Sequence, residues 1–237
     1  MKFLIQKIEG EIKHDFSFTL LEAIRYHNWR GNEIKYKFTD GNLLTLRYSY
    51  DDFVPIGSND FVHMFLREVH DLYPKPINVP NDLMDSIYTQ RSVANMELSS
   101  ERSIGSQLFI KSNDDVKGFC SLVKEGDVVP DGYYQVSTPI RIESEWRAFV
   151  YQRKFVGLQN YSGDFTIFPN VKTIELMIHK YHEQPIAYTL DVGVNEFGTF
   201  VIEVHNFYSC GLYGFADLNK LPHMFSRWFD EYIKSSK

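Results

Sequence analysis

The chain has 237 residues, 43% hydrophobic and 24% charged, a globular composition able to bury a core without disulfide or zinc staples. Acidic residues outnumber basic ones by 31 to 25, and the formal charge of −6 argues against the basic field that binding to a nucleic-acid backbone requires. No apolar run approaches the roughly 20 residues of a membrane span, the apolar run in MKFLIQKIEG is too short for a signal peptide, and Cys120 and Cys210 form no regular framework, so a soluble, cytoplasmic protein with reduced thiols and no membrane or nucleic-acid partner is expected.

Residues 1–80 read as strand, helix, strand, strand, helix. Phe3, Leu4 and Ile5 open the first strand, and Leu20, Leu21 and Ile24 mark an apolar helix that ends at the Gly31-Asn32 turn. EIKYKFTDG and NLLTLRYSY predict two strands joined at Asp40-Gly41. Asn59 or Asp60 is the expected cap of a helix carrying Phe61, Val62, Phe65, Leu66 and Val69. The prolines of YPKPINVP stop that helix and mark the expected domain boundary.

From Asn81 the chain turns strand-rich, with LFIKS, YYQVSTPIRI, EWRAFVYQ, KFVGLQNY, AYTLDVGV and TFVIEVH as extended candidates. ANMELSSERSIGSQ reads as irregular. One helix is expected after Asn170, with Val171, Ile174, Ile178 and Tyr181 on a stripe, and another near Pro222, burying Phe225, Trp228, Phe229 and Tyr232. The class is α+β.

AYTLDVGVNEFGTFVIEVHNF reads as a hairpin around Asn195-Glu196-Phe197-Gly198. Strand alternation puts Glu203 and His205 on one face, with Asp191 on the neighbouring strand. Carboxylates on the packed face of an apolar strand call for compensation, and Mg2+ supplies it; the plainer reading is a solvated face. Lys111 ends the strand LFIKS and Lys117 follows a polar insert, a spacing suited either to clamping a polyphosphate or to simple solvation. In EWRAFV, Glu145 and Arg147 share a face opposite Trp146, where the arginine fork suits a phosphate or a cross-strand ion pair. His179 and His182 lack a carboxylate to complete a zinc site, no G-x-S-x-G elbow is present, and Cys210 with Gly211 and Gly214 reads as a loop near a ligand.

LFIKS, VKGF, YYQVSTPI, EWRAFV, GLQNYSGD, YTLDVGV and VIEVHNF, in that order, resemble the ATP-grasp superfamily, specifically the small ligase-like proteins of bacteria and their phages. The resemblance implies two α+β lobes gripping ATP, a lid lobe over about 88–134 and a core lobe over 135–237, preceded by a small α/β pre-ATP-grasp domain over 1–80. It implies that Lys111 and Lys117 clamp phosphates, with Lys117 on a water-excluding lid. It also implies that the hinge from Gln135 to Ile140, with Gln135, Val136 and Ser137 at its start, reads adenine through its backbone, and that Glu145 and Arg147 belong to the nucleotide site, Arg147 steadying the transferring phosphate. The family's late motif is an Asp followed by Glu-x-Asn, the three binding Mg2+; here Asp191 and Glu203 are in register, His205 stands at the Asn position and Asn206 follows it.

The implied activity is ATP-dependent joining of a carboxylate, from a small molecule or peptide, to an amine, with ATP and Mg2+ required. A kinase of the same fold, a nucleotide-binding protein without turnover and an aromatic stacking module are the alternatives. In the first domain, a strand leading through Pro55, Gly57 and Ser58 into the capped helix is expected to offer backbone N–H groups, such as those of Gly57 and Ser58, to an anionic substrate.

Overall fold

The computed structural model describes residues 1–41, 52–101 and 103–235. They fall into two compact units, Met1–Pro74 with Pro185–Tyr188 and Asn206–Lys237, and Lys75–Gln184 with Thr189–His205. These units are not the contiguous 1–80 and 81–237, because the C-terminal residues group with the N-terminal ones.

In the first unit, β1 (Lys2–Gln6), β2 (Lys35–Thr39) and β3 (Val54–Ile56) form a parallel sheet in the order β2-β1-β3. Phe3, Leu4 and Ile5 on the central strand are fully buried, as expected of a parallel strand covered on both faces. The expected strand NLLTLRYSY lies outside the described residues. The helix α1 (Asp15–Trp29) buries Phe16, Leu20, Leu21 and Ile24. Ser58, one residue before the expected positions, caps α2 (Asn59–His70), its Oγ accepting from the Phe61 N–H at 3.2 Å. This helix buries Phe61, Val62, Phe65 and Leu66 and closes at Asp71 in the left-handed region.

The second unit opens with residues 75–80, a 3-10 turn at Asn81–Leu83 and the single turn α3 (Ser86–Thr89). Four antiparallel strands follow, β4 (Val93–Leu98), β5 (Leu108–Ser112), β6 (Cys120–Val123) and β7 (Gly132–Ser137), in the order β4-β7-β5-β6. One face carries a small core of Ile104, Ile110, Val123, Val129, Tyr134 and Val136. On the other, cross-strand registration lines up Asn95, Gln135, Lys111 and Cys120. The edge strand β4 replaces the expected irregular stretch, and β7 stops at Ser137, where Thr138-Pro139 follows and a proline cannot donate to a ladder.

The second sheet contains β8 (Ser144–Tyr151), β9 (Lys154–Gly163), β10 (Ala187–Asn195) and β11 (Gly198–Asn206), in the order β11-β10-β8-β9. Gln152 and Arg153, at φ 51° and 61°, make the two-residue turn between β8 and β9 that the strand twist favours. Asn170 caps α4 (Val171–Lys180), its Oδ1 accepting from the Lys172 and Thr173 N–H groups at 3.0 and 3.3 Å. Every residue of β10 is buried, and a Cβ at Gly193 would lie 2.5 Å from the Phe200 ring, so glycine there lets Phe200 pack. The chain ends in α5 (Leu221–Ser235), which belongs to the first unit and buries Phe225, Trp228 and Phe229; the Phe207 and Phe225 ring centroids are 4.8 Å apart. No helix among the described residues is long and apolar enough to cross a membrane.

Candidate functional site

The site forms on the second unit's β11-β10-β8-β9 sheet. Asp191 sits in the middle of β10 at 1% exposure, where an ionised carboxylate needs compensation. Arg147 of β8 supplies it through a two-pronged contact, Nε donating to Oδ1 at 2.8 Å and Nη2 to Oδ2 at 2.7 Å. Burial pushes the Asp191 carboxyl up, but hydrogen bonds from Arg147 and His205 outweigh it and hold it below the ordinary carboxylate value. Glu203 and His205 alternate onto the same face of β11, with His205 Nε2 lying 2.9 Å from Glu203 Oε1 and 3.7 Å from Asp191 Oδ2. One donor atom from each of Asp191, Glu203 and His205 falls within 4.8 Å of the others.

Lys111, from the other sheet of the same unit, pairs its Nζ with Glu203 Oε2. Burial pulls its ammonium below the usual lysine value, with Cys120 and Asp191 acting the other way. Two cations, Lys111 and Arg147, thus face two carboxylates, Glu203 and Asp191. Tyr161 of β9 extends the network: its hydroxyl donates to Glu145 Oε2 at 2.9 Å, and its ring lies 5.6 Å from the Arg147 guanidinium carbon. Burial, followed by Asp191 and Glu145, pushes the Tyr161 hydroxyl well above the usual phenol value, so it acts as a neutral donor. GLQNYSGD contains Tyr161, yet only the cross-strand pairing of β8 and β9 places it beside Glu145 and Arg147.

The strand bearing Glu203 and His205 is pinned along its length. Arg91 donates to the Val201 and Ile202 carbonyls at 2.9 and 3.2 Å, and burial draws its pKa down to about 10. Asn78, in the left-handed region at φ 55° and only 2% exposed, accepts through its carbonyl from the Val204 N–H at 2.7 Å. Its side-chain Nδ2 donates to the Ser112 carbonyl at 2.9 Å and to Asn113 Oδ1 at 2.7 Å. Asn78 therefore ties the residue after Lys111 to the residue between Glu203 and His205. The two units divide between Pro74 and Lys75, within the proline-rich stretch read as a boundary, and the part after that division is also a strap across the two site-bearing strands.

Other expected site residues fall elsewhere. Lys117 is exposed on the connection between β5 and β6, with its N–H on Asp115 Oδ1 at 3.0 Å. The segment from Gln135 to Ser137 lies between β4 and β5 and pairs with both, so its backbone serves the sheet; the backbone leaving the sheet is 138–143. The Gln135 side chain both accepts from the Val79 N–H and donates to the Val79 carbonyl, each at 2.9 Å, while Val136 packs in the small core and Ser137 is buried. Asn206 lies outside the donor group, because alternation turns it to the opposite face of β11 from His205. Its Oδ1 accepts from Trp228 Nε1 at 3.1 Å. Cys120 and Cys210 are not joined in a disulfide; the first is exposed and the second buried.

Two four-stranded sheets of one unit thus bring a strand-end lysine from one to an arginine and paired acids on the other. The profile of the ATP-grasp domain, R2K clade family 2, matches residues 88–221, more than half of the chain, and the protein belongs to that family. Among solved structures it is similar to D-alanine–D-alanine ligase from Bacillus anthracis, with 13% identity, 99% of this chain and 98% of that chain covered, and a TM-score of 0.54. The same enzyme complexed with ATP gives 13% identity, 100% and 96% coverage and a TM-score of 0.51. A RimK domain ATP-grasp protein from Sphaerobacter thermophilus gives 16% identity, 99% and 100% coverage and a TM-score of 0.51. At these identities the likeness is one of fold. A search of curated proteins finds no match.

Proposed function

We propose that the protein is an ATP-dependent ligase that converts a substrate carboxylate to an acyl phosphate and joins it to an amine, releasing ADP and phosphate. The observation that carries this reading is the matched set of ion pairs in one unit, Lys111 with Glu203 between its two sheets and Arg147 with Asp191 on neighbouring strands of one of them. A triphosphate is the polyanion that suits both cations: drawing Lys111 away, it frees Glu203 as a donor for a divalent ion, while Arg147 meets it from its place on Asp191. The donor set fits such an ion, since it offers two carboxylates within one ion's reach. Bound there, the ion neutralises charge on the phosphate oxygens.

The chain's own residues do the remaining work by position and charge. Arg147 presents a planar fork already oriented by Asp191 and by the Tyr161 ring, so little reorganisation is needed as charge builds on the transferring phosphoryl group. Lys111 acts as a point charge from a strand end, and Lys117 brings a second ammonium from the β5–β6 connection, which covers the acyl phosphate and keeps water from it. The carboxylate and the amine belong to small molecules or peptides, and the backbone at 138–143 is the adenine-reading segment.

The test is to incubate the protein with ATP, a divalent ion and a carboxylate panel, with hydroxylamine standing in for the amine. The expected result is carboxylate-dependent ADP release accompanied by a hydroxamate. ADP release with a stable phosphorylated acceptor and no hydroxamate would assign the protein to the kinases instead.

A further inference from the structure

We infer that His205 is a metal ligand through Nε2, and that the Asp191–Glu203–His205 site selects Mn2+, a divalent ion that accepts both nitrogen and oxygen donors, over Mg2+. This rests on the ATP-dependent reading above and deepens it by naming the ion. Metal–nitrogen and metal–oxygen bonds of about 2.1 Å place neighbouring octahedral ligands about 3.0 Å apart and opposite ones about 4.2 Å apart. His205 Nε2 lies 2.9 Å from Glu203 Oε1, close to the separation of neighbouring ligands, and 3.7 Å from Asp191 Oδ2, between the neighbouring and opposite separations. One ion therefore reaches all three donors with adjustment of side chains alone.

Two further features favour a nitrogen-accepting ion. The backbone under the imidazole is fixed, with Arg91 on the Val201 and Ile202 carbonyls and Asn78 on the Val204 N–H, so His205 stays aimed at the acids. Asp191 is also engaged at both oxygens by Arg147, which lowers the negative charge it offers to a cation. Mg2+ depends on charge and hard oxygen donors, whereas an imidazole suits transition ions, and Mn2+ among them still takes carboxylate, water and phosphate oxygens. A site with one committed carboxylate, one shared carboxylate and one neutral imidazole thus shifts preference from Mg2+ toward Mn2+.

The experiment is electron paramagnetic resonance on the full chain with Mn2+ and inorganic triphosphate, a probe without nitrogen, read for nitrogen coupling by electron spin echo modulation. Wild type, His205→Asn and His205→Gln are compared, with circular dichroism confirming the fold, and Mg2+ is titrated against bound Mn2+. The expected result is nitrogen modulation in the wild type, its loss in both variants, and easier displacement of Mn2+ by Mg2+ in the variants. Mn2+ bound without nitrogen modulation, or modulation that persists in His205→Asn, overturns the inference and leaves the ligase reading intact. Failure of the wild type to bind either ion with triphosphate overturns both.

Discussion

The two sheets of the second unit hold the charges of the same site in different ways. In the β11-β10-β8-β9 sheet, Arg147 and Asp191 have side-chain exposures of 9% and 2%, and β10 is buried from end to end. In the β4-β7-β5-β6 sheet, Lys111 stands on a face whose neighbours are polar; it and Glu203 have side-chain exposures of 22% and 20%. The first arrangement is a platform whose charges cannot separate cheaply. The second is a cover whose lysine can exchange one anion for another. The pair that stabilises and the pair that switches are different pairs.

The largest effect should come where the two sheets meet, at Glu203 of β11. Glu203→Gln removes the partner of Lys111 and a metal donor together, so ADP formation should fall by at least about 10²–10³-fold, the cost of losing one preorganised charge-stabilising group. Circular dichroism should remain that of the wild type. Full turnover by the variant would place the reacting phosphates away from this face.

Stability measurements then separate platform from cover. Arg147→Met leaves Asp191 buried without its fork, which should cost about 3–5 kcal/mol, and the double variant Arg147→Met/Asp191→Leu should recover most of that stability without recovering activity. Lys111→Met breaks a half-buried pair whose Glu203 keeps His205 as a partner, so it should cost less than Arg147→Met, about 1–2 kcal/mol, while abolishing the shift in melting temperature produced by an ATP analogue. Equal losses of stability in the two single variants would erase the distinction between the sheets.

The same contrast explains what the sequence disclosed. Long apolar segments such as AYTLDVGV and EWRAFVYQ announce packed strands, so β8, β10 and β11 were legible, and with them the nearness of Asp191 to Glu203 and His205. The edge strands β4 and β6 were not, since VANMEL and CSLV are solvated along much of their length and carry no clean alternation. Tyr161 depended on a cross-strand register that contains a bulge between Glu145 and Trp146, and Asn78 on a left-handed backbone within a stretch that reads as linker. Local pattern carries no record of such long-range hydrogen bonds. The C-terminal helix was visible from its apolar stripe, but a stripe does not say which sheet it covers.

Asn78 is the next test of how the cover is held to the platform. Asn78→Ala removes the amide that donates to Ser112 and Asn113 and forces alanine to φ 55°, so a loss of about 1–3 kcal/mol is expected. Asn78→Gly keeps the backbone conformation accessible and isolates the amide. If the strap sets the position of Lys111, both variants should weaken binding of the ATP analogue; unchanged affinity would reduce the strap to a structural fastening.

The smallest change probes the cover without altering a charge. Cys120 stands opposite Lys111 across β5 and β6 and is exposed, whereas Cys210 is only 5% exposed, so native protein treated with N-ethylmaleimide should modify one thiol rapidly. Bulk added beside Lys111 should leave the melting temperature nearly unchanged, because β6 is an edge strand with three of its four residues exposed. It should nevertheless obstruct the triphosphate, and ATP with a divalent ion should slow the labelling in return. Labelling that neither protects nor obstructs would mean that the polar face of this sheet is not the one that meets the nucleotide, and that Lys111 serves Glu203 alone.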